Sequence, residues 1–299
     1  MASDQTTRPR TRWRPRIFYV VLVALLFVSL LPIFVYHRKV LSLSQDKLAD
    51  TERLQQTEVT RALVEEIQLY QASLYQQLVG QRQIFALAGM LGNIEDKKNE
   101  GQATTLLENL VNSNPNILYV TAVGLSVRGW GAGDKRVTED AFVQKALQRA
   151  FFTTQQRAEF HSDPLAYGAE SRPAFILALP LLEGKEFRGM LAAVVSLDRV
   201  IERLNETSVR GREVYVVDRN GKIVAHPNTK VYVPGQNMSG TVPLVERLKS
   251  LEEKTRATET ASFVMSRGNA KVDMIGTYST LPQMNWAVIA QRSLDDARK

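Results

Sequence analysis

The chain of 299 residues has no cysteine. That excludes a disulfide framework, thiolate chemistry and cysteine-ligated zinc. Histidine is nearly as scarce. His37, His161 and His226 are the only three, and none stands at metal-ligand spacing from another. No G-x-S-x-G, phosphate loop or G-x-G-x-x-G stands in a suitable context, and "GWGAGDK" lacks the phosphate-loop spacing. Neither an enzyme nor a cofactor is expected. Glycine and proline are missing altogether from Ile33 to Val79, so nothing there interrupts a helix.

The net charge of +7 is unevenly distributed. Arg8, Arg10, Arg12, Arg14 and Arg16 form one N-terminal cluster, and the remaining charges are nearly balanced. Such a cluster can bind phosphates, but beside an apolar run it sets topology, and nucleic acid is not expected. That run, Ile17 to Tyr36, holds 20 residues without a charge. At about 1.5 Å of rise per residue it crosses a hydrocarbon core of roughly 30 Å. Tyr19 and Tyr36 lie near its ends, where aromatic rings favour the interface. A cleaved signal peptide would have a shorter apolar region and a small-residue cleavage site. The exit "VYHRKVLSLSQ" offers none. The expectation is an uncleaved inner-membrane anchor, with residues 1–16 cytoplasmic and everything beyond Arg38 periplasmic or extracellular.

Beyond the anchor, Val59, Leu63, Ile67, Tyr70, Leu74 and Leu78 recur at spacings of four and three, one apolar stripe on a helix. The pattern predicts one helix from residue 17 to about 90. The stripe either pairs two copies in a parallel homodimer or packs on the domain that follows. A charged break, "EDKKNEGQ", precedes a short helix ending near Asn114-Pro115. Strands are predicted at 117–125, 174–182 and 189–197, with helices at 138–152 and 198–206. "EVYVVDRNGKIVAHPN" (213–228) reads as two strands joined at Asn220-Gly221, a pair that readily takes positive φ, so a tight hairpin is expected. A helix at 242–254 and three more strand-like runs complete the chain. The two halves repeat one order: strand pair, helix, then antiparallel strands. Weak identity between them indicates a duplicated architecture. Runs of strands with helices between them predict an α+β fold.

Four features then resemble the double Cache domain, the PAS-like extracellular sensor region of bacterial transmembrane receptors. They are the anchor with its long helix, "RPAFILALPLLEGKEFRGMLAAVVSLDRV", "VYVVDRNGKIVAHPN" and "MIGTYSTLPQMNWAVIAQRSLDDA". The resemblance covers roughly residues 38–292. It implies a transmembrane helix at 17–36, a long helix over 37–92, a membrane-distal module at 93–204 and a membrane-proximal one at 205–292. Residues 293–299 would lead to a second membrane helix and an output module of chemotaxis or two-component type. Neither lies within this chain, so it is expected to be a fragment or to signal differently.

The resemblance further implies a small-molecule ligand in the distal module. Amino-acid-binding members share an Arg-x-Trp-Tyr stretch for the carboxylate and a late Asp for the amine. Here Gly131 follows Arg128-Gly129-Trp130, Ala141-Phe142 stands where a Trp-Tyr pair is expected, and the late Asp position falls near the apolar Val195. Amino-acid specificity is therefore not implied, and an organic acid or other anion is expected. The candidate ligand residues are Tyr119, Arg128, Trp130, Phe142, Tyr167 and Arg172. Core packing is the competing role for Tyr119 and Phe142, and a surface turn for Arg128 and Trp130. His226, beside Pro227, is expected to be structural. The alternative to a sensor is an envelope interaction protein whose outer domain docks a partner.

Overall fold

The computed structural model describes residues 15–91, 94, 96–209, 211–252, 255–267 and 270–297. The arginines from Arg8 to Arg14 lie outside them. Helix α1 spans Pro15–Leu87. The chain divides into two compact units, Met1–Asp50 and Thr51–Lys299.

In the first unit, α1 carries the one helix among the described residues that is long and apolar enough to cross a membrane. Its most apolar stretch is Leu22–Lys39, with mean hydropathy 1.6 and none of it covered by protein. Ser29 turns its hydroxyl back to the Leu25 and Leu26 carbonyls, so this polar side chain within the apolar stretch bonds to the helix itself.

In the second unit, α1 ends where Gly89 takes a φ of 68°. Met90 N–H then donates to Phe85 O and Gly89 N–H to Ala86 O, a Schellman stop that glycine favours. A 3-10 turn (Lys97–Asn99) and α2 (Glu100–Ser113) follow. The first sheet comprises β1 (Ile117–Gly124), β2 (Gly129–Gly133), β3 (Phe160–His161), β4 (Leu165–Tyr167), β5 (Arg172–Glu183) and β6 (Glu186–Ser196). Its order is β2-β1-β6-β5-β3, with β4 also on β5. Between β2 and β3 run α3 (Arg136–Glu139) and α4 (Ala141–Gln155). Asp140 caps α4 by accepting from the amides of Phe142 and Val143.

Helix α5 (Asp198–Thr207) leads to the second sheet: β7 (Glu213–Asp218), β8 (Ile223–Ala225), β9 (Thr258–Arg267), β10 (Ala270–Leu281) and β11 (Trp286–Ser293). Helix α6 (Pro243–Lys249) precedes β9, and α7 (Leu294–Ala297) ends the described chain. The order β8-β7-β11-β10-β9 repeats that of the first sheet, and every strand pair in both is antiparallel. In each sheet the last strand of the chain returns beside the first. That is the shared strand–helix–strand order expressed in space.

The apolar stripe of α1 is internal. Leu63, Ile67, Leu74 and Leu78 are buried in one core with Val120, Leu177, Val195, Val216 and Val288, so α1 packs on the inner faces of both sheets. Of the two roles open to the stripe, packing on its own domain is the one the fold shows. Each outer face has a separate core, one around α4 and one around α6.

The β7–β8 turn differs from the expected one. Only Gly221 takes positive φ, 80°, and Asn220 does not. Gly221 N–H donates to Asp218 O, and Asp218 N–H to Lys222 O, with a register shift at Val216/Val217. This is a wider turn closed by a bulge. The Asp218 carboxylate, accepting from Lys222 N–H at 2.7 Å, secures it. A Cβ on Gly221 would stand 2.4 Å from Val245 Cγ1 of α6. Gly221→Ala is therefore expected to cost about 1–3 kcal/mol in a denaturant titration, from the left-handed backbone and that contact.

Candidate functional site

Strand alternation sorts the six candidates. On β5, Ala174, Ile176 and Ala178 face α4, while Phe175, Leu177 and Leu179 face α1. Arg172 shares the parity of Ala174 and pairs with Tyr167 on β4. Tyr119 packs against the same α4-side core, its hydroxyl lying over Gly131, where a Cβ would meet it at 2.0 Å. A side chain at Gly131 would displace the tyrosine.

These residues converge at one end of the sheet. Leu118 O accepts from Asp134 N–H at 2.9 Å, which sets Asp134 beside Tyr119. Asp140, while capping α4, also accepts from Gly168 N–H at 3.1 Å, drawing the loop after Tyr167 to the start of α4, where Phe142 is exposed. Arg172 Nη2 lies 3.6 Å from Asp198 Oδ2, and its Nε 3.9 Å from Glu170. The Tyr167 phenol pKa is raised, chiefly by burial, against the opposing field of Arg172. Burial likewise raises that of Tyr119. Asp134 is held below the ordinary carboxylate range by the hydrogen bonds of Arg136.

Arg128 and Trp130 are not part of this group. Arg128 is exposed in the β1–β2 turn, where its carbonyl accepts from Gly124 N–H. Gly124 pairs with Gly189 and Ala174 with Ser196. Along β6 those levels are about 23 Å apart at ~3.3 Å per residue. Trp130 pairs with Ala122, points to the α1 side and packs on Phe85 with ring centroids 6.2 Å apart. It is core. The "RGW" stretch brings a cation and an indole close in sequence, but a hairpin turn and a pleat separate them in space.

Asp198, Asp134 and Asp140 were not among the candidates. "SLDRV" was legible only as a strand leaving into a helix. The pairing of Asp198 with Arg172 depends on β5 and β6 lying side by side, and no local spacing reveals it.

His226 is structural. It is 4% exposed, its Nδ1 accepts from Asn228 N–H at 2.9 Å, and its Nε2 lies 3.3 Å from Glu213 Oε1. Its ring packs between Tyr215 and Tyr232. Among the described residues no group of three or more His, Cys, Asp or Glu is placed to hold a metal ion.

The sequence profile of the Cache domain matches residues 46–299. The sensory domain of the Campylobacter jejuni chemoreceptor Tlp3 superposes with a TM-score of 0.61 at 12% identity, over 86% of this chain and 100% of that one. The ligand-binding domain of the same receptor in complex with L-norvaline gives 0.58 at 12% identity, over 85% and 95%. That of the Pseudomonas fluorescens chemoreceptor CtaA in complex with L-alanine gives 0.58 at 15%, over 83% and 99%. No curated protein matches the chain in sequence.

Proposed function

The chain belongs to the Cache domain family, and from that premise we propose that it is a membrane-anchored receptor domain whose first sheet senses a small molecule. It is a ligand-binding domain and not an enzyme. The observation that carries the ligand assignment is the meeting of Tyr167, Arg172 and Asp198 at the rim of the outer face, beside Phe142 and Tyr119.

The charge at that rim sets the ligand class. Arg172 supplies a planar donor pair for a carboxylate. Asp198 and Glu170 beside it supply acceptors for an ammonium group. A carboxylate-only ligand, the expectation from sequence, would compete with both acids for Arg172, whereas a zwitterion brings its own cation to them. We therefore favour a zwitterion of amino-acid type, the class present in the Tlp3 and CtaA complexes. A lost charged hydrogen bond corresponds to about 10- to 150-fold in affinity. Calorimetry should show that loss for Arg172→Ala, while Arg128→Ala binds like wild type. Equal binding by wild type and Arg172→Ala would remove the site from this rim.

We place the anchor in the inner membrane, with the N-terminus cytoplasmic and the Cache region outside; the uncovered apolar stretch and the arginines before it support this reading. Signal would pass along α1, which is continuous from Pro15 to Leu87. A homodimer would use Leu54 and Leu69, which are 67% and 72% exposed, since the apolar stripe is already internal. The close apolar packing under α4, with Val143, Ile176 and Ala178 fully buried, favours a second reading in which the outer domain docks an envelope protein.

A further inference from the structure

The described surface holds a polar cleft in the other module, against α1. Its volume is about 360 Å³, and its lining includes Arg61, Glu65, Arg256, Thr258, Ser279 and Thr280. Clefts that hold small ligands start near roughly 300 Å³. One wall is α1, and the floor is the β9–β10 pair. Three features bear on what it binds. Arg61 makes no hydrogen bond or ion pair with any described residue, although Glu65 lies one turn away on the same helix. Arg256 reaches across to the Gln68 amide oxygen of α1 at 3.3 Å, a neutral partner only. The floor is a chain of hydroxyls: Thr258 Oγ1 lies 3.0 Å from Ser279 Oγ, which lies 2.9 Å from Thr60 Oγ1.

We propose that this cleft is a binding site for a small organic carboxylate, separate from the rim of the first sheet and independent of that assignment. Among the described lining residues two guanidinium groups stand against one carboxylate, and neither guanidinium is paired with a described acid. A carboxylate entering between Arg61 and Arg256 supplies the missing partner to both. The floor hydroxyls hold α1 to the sheet: Thr60 Oγ1 donates to the Thr57 carbonyl at 3.2 Å and accepts from Ser279, which accepts from Thr258, and the guanidinium groups hold the ligand. Thr60 belongs to α1 and is fully buried. The ligand therefore joins α1 to the second sheet on both sides of the cleft. Occupancy stiffens the attachment of the helix that leads back to the anchor, so this site biases the same element as the sensor rim.

The test uses the full chain in lipid nanodiscs, with succinate, acetate and inorganic phosphate as probes, read by calorimetry and by thermal unfolding. Succinate is expected to bind and raise Tm. Arg61→Ala and Arg256→Ala should each weaken it about tenfold or more, and Arg61→Lys less than Arg61→Ala. Both arginines are exposed, so the apo Tm of the variants should stay near wild type. Arg172→Ala should leave succinate binding unchanged, which separates this site from the sensor rim. Absence of heat and of a Tm rise with succinate and acetate would overturn the proposal. So would phosphate binding alone, or a loss with Arg172→Ala while Arg61→Ala binds like wild type.

Discussion

Glu52→Ala is expected to lower the stability of the outer unit by about 3–5 kcal/mol, because it leaves two mostly covered guanidinium groups without their shared acid. Glu52 is 4% exposed. Its Oε1 accepts from Arg212 Nε and Nη2 at 3.1 and 3.0 Å, and its Oε2 from Arg292 Nη1 at 3.0 Å. Arg292 Nη2 also donates to Asp296 O at 2.6 Å. The triad therefore ties α1 to the α5–β7 loop and to the end of β11. These are the places where the chain enters and leaves the second module. At about 2–4 °C per kcal/mol, Tm should fall by roughly 10 °C. Glu52→Gln keeps the shape and one acceptor and should fall between wild type and Glu52→Ala. A Tm for Glu52→Ala within about 1 °C of wild type would show that water, not Glu52, satisfies the arginines.

Ile67→Glu should prevent folding of the outer unit and not merely dissociate a dimer. Ile67 is 4% exposed, in the core shared by both sheets. A carboxylate placed there has no partner, and the cost exceeds about 4 kcal/mol. Leu63→Glu, at 3% exposure in the same core, should behave alike. Leu69→Glu is the comparison. It lies on the exposed flank, and its effect on stability should stay within about 0.5 kcal/mol. Circular dichroism with sedimentation separates the cases. If Ile67→Glu remains folded and only becomes monomeric, the stripe is an interface between copies and the packing described above is wrong.

These two variants also mark how far the sequence could be read. The stripe from Val59 to Leu78 was legible because apolar spacing of three and four is local. Its destination was not, since a helix buries such a face equally well against a second copy or its own sheets. Below Leu63 the same face continues as Glu52, Gln56 and Thr60, all buried. There it meets a polar stretch of β10, where Thr277 Oγ1 donates to Gln56 Oε1 and Gln56 Nε2 donates to Ile275 O. No hydrophobic pattern announces a buried helix face made of polar residues. Strand positions came through well, with 174–182 inside the observed β5 and 189–197 overrunning the end of β6 by one residue, because those runs are continuously apolar between turn residues. Tyr119, Phe142, Tyr167 and Arg172 lie at one end of the sheet, but Asp198 reaches Arg172 only through strand pairing. Arg128 and Trp130 stand two apart in the chain, yet the pleat and the turn send them to different places.

The measurement that bears most directly on the sensor assignment is hydrogen exchange of the full chain, with and without an amino acid selected by thermal shift. The account predicts that at least one compound raises Tm. It also predicts slower amide exchange in the residues around Asp134 to Phe142 and from Leu165 to Ala174, with Tyr167→Phe and Arg172→Ala reducing that protection. Protection confined to the second sheet, or no compound that raises Tm while a protein partner protects the outer face under α4, would contradict it.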